Sequence, residues 1–130
     1  MAIKYLIDTN VFLEILLDQE KKEICKHYLK SKFGNLAISD FSLHSIGVIL
    51  FRTKRFEIYN SFINDVIPQI EVLSVQKINY SQISNIANQF NLDFDDAFQV
   101  VVAKTGNLTI ATMDKDFEKV SHLYKIDFLK

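Results

Sequence analysis

Two pairs of aspartates late in the chain constrain the fold more than any other feature of the sequence. They lie within residues 92–117, LDFDDAFQVVVAKTGNLTIATMDKDF, where Asp95 and Asp96 begin a predicted helix and Asp114 and Asp116 follow a predicted strand. In a parallel sheet with crossover helices, strand C-termini and the N-termini of the following helices share one edge. Asp114 and Asp116 are therefore expected on that edge. Asp95 and Asp96 reach it if their helix starts there and packs against the sheet.

The segment between the two pairs has the pattern of a buried helix followed by a short strand. Ala97–Lys104 predicts the helix, Leu108–Ala111 predicts the strand, and Gly106-Asn107 is typical of a helix C-terminus between them. Carboxylates brought together repel one another, so such a cluster calls for a cation, and Mg²⁺ and Mn²⁺ take oxygen ligands of this kind. The alternative is that these acids only interact with the helix dipole and solvate a loop.

A third acidic position follows the first predicted strand. Ile3–Ile7 is a short apolar run, and Asp8, Thr9 and Asn10 come directly after it, before a stretch with helical spacing of apolar residues. One interpretation makes Asp8 a metal ligand supported by its two polar neighbours. The other makes the three residues a capped turn, in which Thr9 or Asn10 caps the helix.

The whole chain alternates between short apolar strands and amphipathic helices. Further strands are predicted at Leu36–Ser39, Glu71–Val75 and, at an edge, Tyr124–Leu129, with helices between them. This order predicts an α/β fold, a three-layer α/β/α sandwich with a short, mostly parallel central sheet. Residues 1–130, 48% of them hydrophobic, are expected to form a single domain.

Several classes of protein are disfavoured by the composition. The formal net charge is −1, so no global field attracts nucleic acid, and the single cysteine, Cys25, allows neither an intrachain disulfide nor a multi-cysteine metal site. No window resembles a signal peptide or approaches the roughly 20 apolar residues of a membrane span. A cytoplasmic protein without membrane contact is the expectation.

These residues resemble a known family over essentially the whole chain. Ile7-Asp8-Thr9-Asn10, Asp96-Ala97 and the run from Thr112 to Phe117 are similar to the motifs of PIN domains, in particular of VapC-like ribonuclease toxins from bacterial toxin–antitoxin pairs. The resemblance implies RNA hydrolysis with Mg²⁺ or Mn²⁺ held by Asp8, Asp96 and Asp114. It further implies Asp116 as an additional acidic ligand, with Asn10 and Thr112 in supporting positions. We expect Asp95, next to Asp96, to support the site as well.

One position departs from the family pattern. The family usually has a glutamate in the helix after the second strand, and the register of Ile38–His44 places His44 there. Loss of this anion is expected to weaken binding of hard cations and to favour Mn²⁺ over Mg²⁺. Asp40, one helical turn earlier, is a candidate to compensate in part.

Two other functions compete with the ribonuclease interpretation. A catalytically weak or inactive PIN-like module that binds RNA or protein would tolerate the missing glutamate. A phosphatase with an aspartyl nucleophile would use Asp8, but such enzymes usually need a second acid two residues later, where Asn10 stands. Metal-dependent RNA cleavage separates the first alternative from the enzyme, and a trapped aspartyl-phosphate identifies the second.

The resemblance also implies two kinds of protein partner. Short-chain relatives commonly form homodimers and are held by an antitoxin protein, so both are expected here. The aromatic-rich region of Phe51, Phe56, Tyr59 and Phe62 is the predicted apolar contact patch for a second copy.

Overall fold

A computed structural model describes residues 3–130 and shows one five-stranded sheet between two layers of helices. The strands are Tyr5–Ile7 (β1), Leu36–Ser39 (β2), Glu71–Leu73 (β3), Thr109–Thr112 (β4) and Ile126–Phe128 (β5). The α-helices are Thr9–Leu16 (α1), Lys22–Ser31 (α2), Asp40–Arg52 (α3), Phe56–Ser61 (α4), Tyr80–Phe90 (α5) and Phe94–Gly106 (α6). A π-helical turn, Phe62–Val66, continues α4, and short 3₁₀ segments are Ile67–Gln69, Lys77–Asn79 and Lys115–Val120.

The strand order explains why distant parts of the sequence meet at one edge. The order is β3-β2-β1-β4-β5, and every pairing is parallel, so the prediction of a mostly parallel sheet is confirmed. Ile7 pairs with Ala111 in the register of β1 and β4. The residues that follow these two strands are therefore neighbours, although about a hundred positions separate them in the chain.

Both faces of the sheet are covered by apolar side chains, which gives the predicted three-layer sandwich. One cluster joins the sheet to α5 and α6 through residues such as Ile83, Val101 and Ile110. The other joins it to α1, α2 and α3, with Val11 and Leu50 among its fully buried members. Strands buried on both faces are expected to be apolar runs, and the inner strands β1 and β2 largely are, whereas the edge strands β3 and β5 contain the charged residues Glu71 and Asp127.

Several boundaries differ from the sequence prediction because local chain geometry decides them. α6 is longer than the predicted Ala97–Lys104 and runs through Gly106, and it is Asn107, with a φ of 54°, that ends the helix in the left-handed conformation. The predicted strand Tyr124–Leu129 is shortened to three residues at the sheet edge. Within residues 3–130 no helix combines the length and apolar composition needed to cross a membrane.

Candidate metal centre

A small cleft lies at the edge of the sheet where β1 and β4 end and where α6 begins. It has a volume of about 160 Å³ and is lined by Asp8, Thr9, Asn10, Leu13, Phe41, Asp95, Asp96, Gln99 and Asp114. One carboxylate oxygen each from Asp96, Asp114 and Asp116 lies within 4.8 Å of the others. The structure thus brings Asp8, Asp96 and Asp114 to one cleft, with Asp116 at its margin.

Asp8 is held in a fixed orientation by four donors. Its Oδ1 accepts hydrogen bonds from the Thr9 backbone N–H at 2.9 Å and from Gln99 Nε2 at 3.0 Å. Its Oδ2 accepts from the Thr112 hydroxyl at 2.7 Å and, at 3.4 Å, from Asn10 Nδ2. Asp8 is itself the N-cap of α1, so the prediction that Thr9 or Asn10 caps this helix was wrong. The carboxylate of Asp8 therefore both caps α1 and lines the cleft.

Thr112 and Asn10 connect the Asp8 turn to the loop after β4. The Thr112 hydroxyl accepts a hydrogen bond from the Asp114 backbone N–H at 2.9 Å while donating to Asp8. Asn10 Oδ1 accepts from the Met113 N–H at 3.2 Å, and Asp114 Oδ1 accepts from the Asp116 N–H at 2.9 Å. These contacts fix the relative positions of the acidic residues without neutralising their charge.

The electrostatics of the cleft are unfavourable for carboxylates on their own. Burial, and then the charges of Asp95, Asp114, Asp8 and Asp116, raise the pKa of Asp96 to about 7. Burial also raises the pKa of Asp8, against the hydrogen bonds from Gln99, Thr112 and Thr9. The buried Asp8 and Asp96, which resist ionisation, form with the carboxylates of Asp114 and Asp116 a set of oxygen donors that fits a hard divalent cation such as Mg²⁺ or Mn²⁺.

Comparison with family models identifies the fold family. The PIN domain model matches residues 5–123, which is most of the chain. The chain belongs to the PIN domain family. A search of curated proteins gave no match for it.

Solved structures of toxin–antitoxin proteins have the same fold as this PIN domain. A DNA-bound VapBC from Salmonella typhimurium has a TM-score of 0.81 at 16% identity, covering 98% of this chain and 99% of that chain. VapBC2 from Rickettsia felis, bound to a promoter DNA fragment, has a TM-score of 0.80 at 14% identity, with full coverage of both chains. VapC20 from Mycobacterium tuberculosis, described as a sarcin–ricin loop cleaving toxin, has a TM-score of 0.78 at 15% identity, covering 93% and 96%. At these identities the likeness shows the fold.

Gln99 is a cleft residue of this PIN domain that the sequence analysis missed. It is 1% exposed, and its Nε2 donates to Asp8 at 3.0 Å and to the Ser42 hydroxyl at 2.8 Å. Its Oε1 is buried and has no hydrogen-bond partner among residues 3–130, which is costly in a folded protein. A signal for it exists in the sequence, because Gln99 is the single polar residue in the apolar run from Ala97 to Ala103 and lies one turn after Asp96.

His44 and Asp40 lie on a different surface. Both line an open groove of about 780 Å³ along α3, together with Leu43, Gly47, Val48, Phe51, Arg52 and Tyr59. His44 is exposed, and neither residue is among those that line the acidic cleft in the described part of the chain. The face of α3 toward the cleft is instead formed by Phe41 and by Ser42, whose hydroxyl also contacts Ser39 and Thr9.

The stability of the metal-free PIN domain is expected to fall as the pH rises from about 4 to about 7. The pKa of Asp96 is about 7 in the folded state and near the ordinary aspartate value of 3.8 when the chain is unfolded, so the folded state binds more protons in this window. Unfolding releases those protons, and increasing pH therefore favours the unfolded chain. Above about pH 7 both states are ionised and the effect levels off. Thermal melts in chelator across this range measure it.

Asp96→Asn is the control for this pH dependence, because it removes the titrating group and keeps the side-chain volume. The difference in melting temperature between the variant and the wild type should grow with pH and then become constant above about pH 7. A difference independent of pH would show that Asp96 does not keep its proton in the folded state. Adding Mn²⁺ above pH 7 should raise the melting temperature of the wild type more than that of the variant.

Proposed function

We propose that this PIN domain hydrolyses RNA phosphodiester bonds with Mg²⁺ or Mn²⁺ and is the toxin of a toxin–antitoxin pair. The observation that carries this proposal is the group of Asp96, Asp114 and Asp116, whose oxygens lie within 4.8 Å of one another beside Asp8. PIN nucleases generally use divalent metals, and several structural neighbours of this chain are toxin–antitoxin complexes. Because RNA is the proposed substrate, the proposed place of action is the cytoplasm.

Each cleft residue has a separate role in this proposal. Asp8, Asp96 and Asp114 would hold the cation, with Asp116 as a further ligand at the margin. Thr112, Asn10 and Asp95 would support them, the first two through their hydrogen bonds to Asp8. When bound, a divalent cation supplies an activated water and neutralises the charge that develops on the phosphate oxygens. The buried Asp8 keeps its orientation during this chemistry because its hydrogen bonds with Thr9, Gln99 and Thr112 are already formed.

Two alternatives have weaker structural support. A phosphatase would need a free acid two residues after Asp8, but that position is Asn10. The Asn10 amide donates a hydrogen bond to Asp8 and accepts one from the Met113 backbone N–H. A catalytically inactive binding module would have no need of closely grouped acids that raise the pKa of the buried Asp96. It would instead benefit from replacing them, because burying mutually repulsive carboxylates costs stability.

Cleavage of a panel of structured and single-stranded RNAs by the purified protein tests the proposed function. We expect cleavage with Mn²⁺ or Mg²⁺, none after treatment with a chelator, and recovery when excess cation is returned. Cleavage that continues in chelator would contradict the proposal, as would the absence of cleavage with either cation. A phosphorylated Asp8, trapped with a phosphate-ester substrate, would favour the phosphatase.

We also propose that two copies associate through the groove along α3. Phe51 and Phe56 are 51% and 46% exposed, and the Phe51 ring lies 4.9 Å from that of Phe56 and 5.1 Å from that of Tyr59. Phe62, which the sequence analysis included in this patch, is buried against Phe12 and is not part of it. Asp40 lies at one end of the groove and Arg52 at the other. If two α3 helices paired antiparallel, Asp40 of each copy would lie opposite Arg52 of the other.

Substitution of an exposed ring in this groove tests the homodimer. We expect the wild type to be a dimer at micromolar concentration in light scattering, and Phe51→Glu to be a monomer because it buries a charge in an apolar contact. Phe33→Glu is the matched control, since Phe33 is 61% exposed and lies outside the groove. A monomeric wild type, or an equal effect of both substitutions, would contradict the proposed interface.

The proposed antitoxin partner is tested through function as well as binding. The product of the neighbouring gene is the candidate partner to test, and it should be co-expressed with this chain and purified with it. We expect a stable complex that lacks RNA cleavage, and recovery of cleavage when the partner is removed. A neighbouring product that neither binds this chain nor inhibits cleavage would contradict its assignment as the antitoxin.

A further inference from the structure

A groove of aromatic and uncharged polar residues lies next to the acidic cleft. It follows α5 and is lined by Tyr80, Ile83, Ser84, Ala87, Asn88, Asn91 and Phe94, with a volume of about 510 Å³. No lining residue carries a charge, in contrast to the cleft. Tyr80 and Phe94 are 49% and 55% exposed, so both rings are accessible to a ligand in the groove. We call this surface the aromatic groove.

The aromatic groove is connected to the cleft by stacked rings. Phe41 lines the cleft, and its ring centroid lies 6.0 Å from that of Phe94, which lines the groove. The buried Phe98 supports both surfaces, with centroids 5.5 Å from Phe41, 6.1 Å from Phe94 and 6.2 Å from Tyr80. Phe94 and Asp96 are two residues apart in α6, a rise of about 3 Å along the helix axis.

A lysine lies where the two surfaces approach each other. Lys119 Nζ donates to the Asn91 backbone carbonyl at 2.9 Å and lies 3.8 Å from a carboxylate oxygen of Asp116. Asn91 belongs to the groove, and Asp116 belongs to the acidic cluster. The Lys119 side chain is 41% exposed, so its cation is accessible to a phosphate that passes from the cleft to the groove.

From these features we infer that the aromatic groove binds unpaired bases of the RNA strand next to the phosphate held in the cleft. An exposed ring stacks on any base, and neutral amide and hydroxyl groups such as those of Asn88, Asn91 and Ser84 pair with base edges. A duplex keeps its bases stacked inside, so this surface selects single-stranded segments. Stacking also gives affinity to a chain whose net charge of −1 provides little general attraction to phosphates.

The inference rests on the proposed function for the identity of the bound strand as RNA. Binding measurements test the inference separately from cleavage. The protein carries Asp114→Asn so that cleavage does not interfere, and it is titrated with a short single-stranded RNA or with an abasic ribose-phosphate strand of equal length. We expect Phe94→Ala to weaken binding of the RNA about tenfold and to change binding of the abasic strand by less than about twofold. Phe33→Ala, at a similarly exposed ring remote from the groove, should change neither.

A tryptophan at the same position gives a signal that a purely structural role would not produce. The chain has no tryptophan, so Phe94→Trp introduces a single indole, and base stacking should quench its emission when RNA is added but not when the abasic strand is added. Phe94→Trp should also retain the RNA affinity that Phe94→Ala loses. Retained affinity would show that the ring itself contributes to RNA binding.

Three results would overturn the inference. They are equal losses for RNA and the abasic strand with Phe94→Ala, no loss for either, or an effect of Phe94→Ala only on association with a protein partner. Failure of the proposed function would be seen elsewhere, as a wild type that cleaves no RNA with Mn²⁺ or Mg²⁺. Base-dependent binding at Phe94 would still be measurable in that case.

Discussion

Asp96→Asn is expected to reduce RNA cleavage by at least about 100-fold while the metal-free protein melts at the same temperature or higher. The activity falls because the neutral amide removes an anionic ligand. Even the replacement of a residue that only supports a metal ligand lowers metal affinity or activity roughly 10–100-fold. The stability holds or rises because the pKa of Asp96 is raised by burial and by neighbouring acids, so its ionised form is unfavourable without a cation. Activity and stability therefore change in opposite directions.

The same substitution at Asp8 and at Asp114 should give the same loss of cleavage. Asp93→Asn is a matched control, because Asp93 precedes α6, is exposed and does not line the cleft. If the acids only capped helices, Asp8→Asn would be nearly silent for cleavage, and the late substitutions would cost only about 0.3–1 kcal/mol of stability. Wild-type, metal-dependent cleavage by both Asp96→Asn and Asp114→Asn would show that these carboxylates are not in the active site.

Ser45→Glu is expected to tighten Mg²⁺ binding about tenfold, whereas His44→Glu should leave it within about twofold. Phe41 lines the cleft, and Ser42 accepts a hydrogen bond from the cleft residue Gln99. Ser45 follows them by four and three residues, so it lies on the same face of α3, one helical turn further along. Helical side chains lean toward the N-terminus, which in α3 is the end near the cleft, so a glutamate at 45 would direct its carboxylate there. Affinity for hard cations rises with the number of anionic ligands.

This pair of variants separates two placements of the anion that the family usually carries on α3. The sequence register places it at His44, whereas the structure shows His44 exposed on the opposite groove. Calorimetric titration with Mg²⁺ measures both variants, and Ser45→Glu should also lower the melting temperature of the metal-free protein by adding a repelling charge. Tighter binding by His44→Glu but not by Ser45→Glu would support the sequence register.

The positions of the cleft aspartates could be predicted because they depend on strand polarity. Asp8 and Asp114 each follow a strand, and in an all-parallel sheet the ends of the strands share one edge whatever their order. The hydrogen bond between Asp8 and Thr112 requires in addition that β1 and β4 are neighbours in the sheet. That adjacency depends on the strand order. Local pattern carries no information on that pairing, because the partner residues of β1 and β4 lie about a hundred residues apart.

Features that depend on which side of a helix faces a neighbour were harder to predict. His44 was placed by counting residues, but one residue is a rotation of about 100°, enough to move a side chain from the cleft to another groove. Phe62 has the same spacing as its exposed neighbours, yet it is buried against α1 by the π-helical turn. Gln99 acquires its role from Asp8 and Ser42, both more than fifty residues away.

The aromatic groove illustrates a signal that is present in the sequence but has no meaning until the fold is known. Tyr80, Ser84, Ala87, Asn88 and Asn91 recur at helical spacing, which predicts one stripe along α5. Such a stripe is usually solvated. The contact of Phe94 with Phe41 shows that this stripe continues into the acidic cleft, and this continuity supports the proposed role of the groove in binding bases.

The most direct test of the account is to locate Mn²⁺ in crystals of the protein. Crystals grown with Mn²⁺ at about pH 8, where Asp96 is ionised, should be measured at the manganese absorption edge. We expect an anomalous peak between the carboxylates of Asp96 and Asp114, near Asp8, and no such peak in crystals of Asp96→Asn. A cleft without an anomalous peak in the wild type, or manganese bound only at other acids, would contradict the assignment of this cleft as the metal centre.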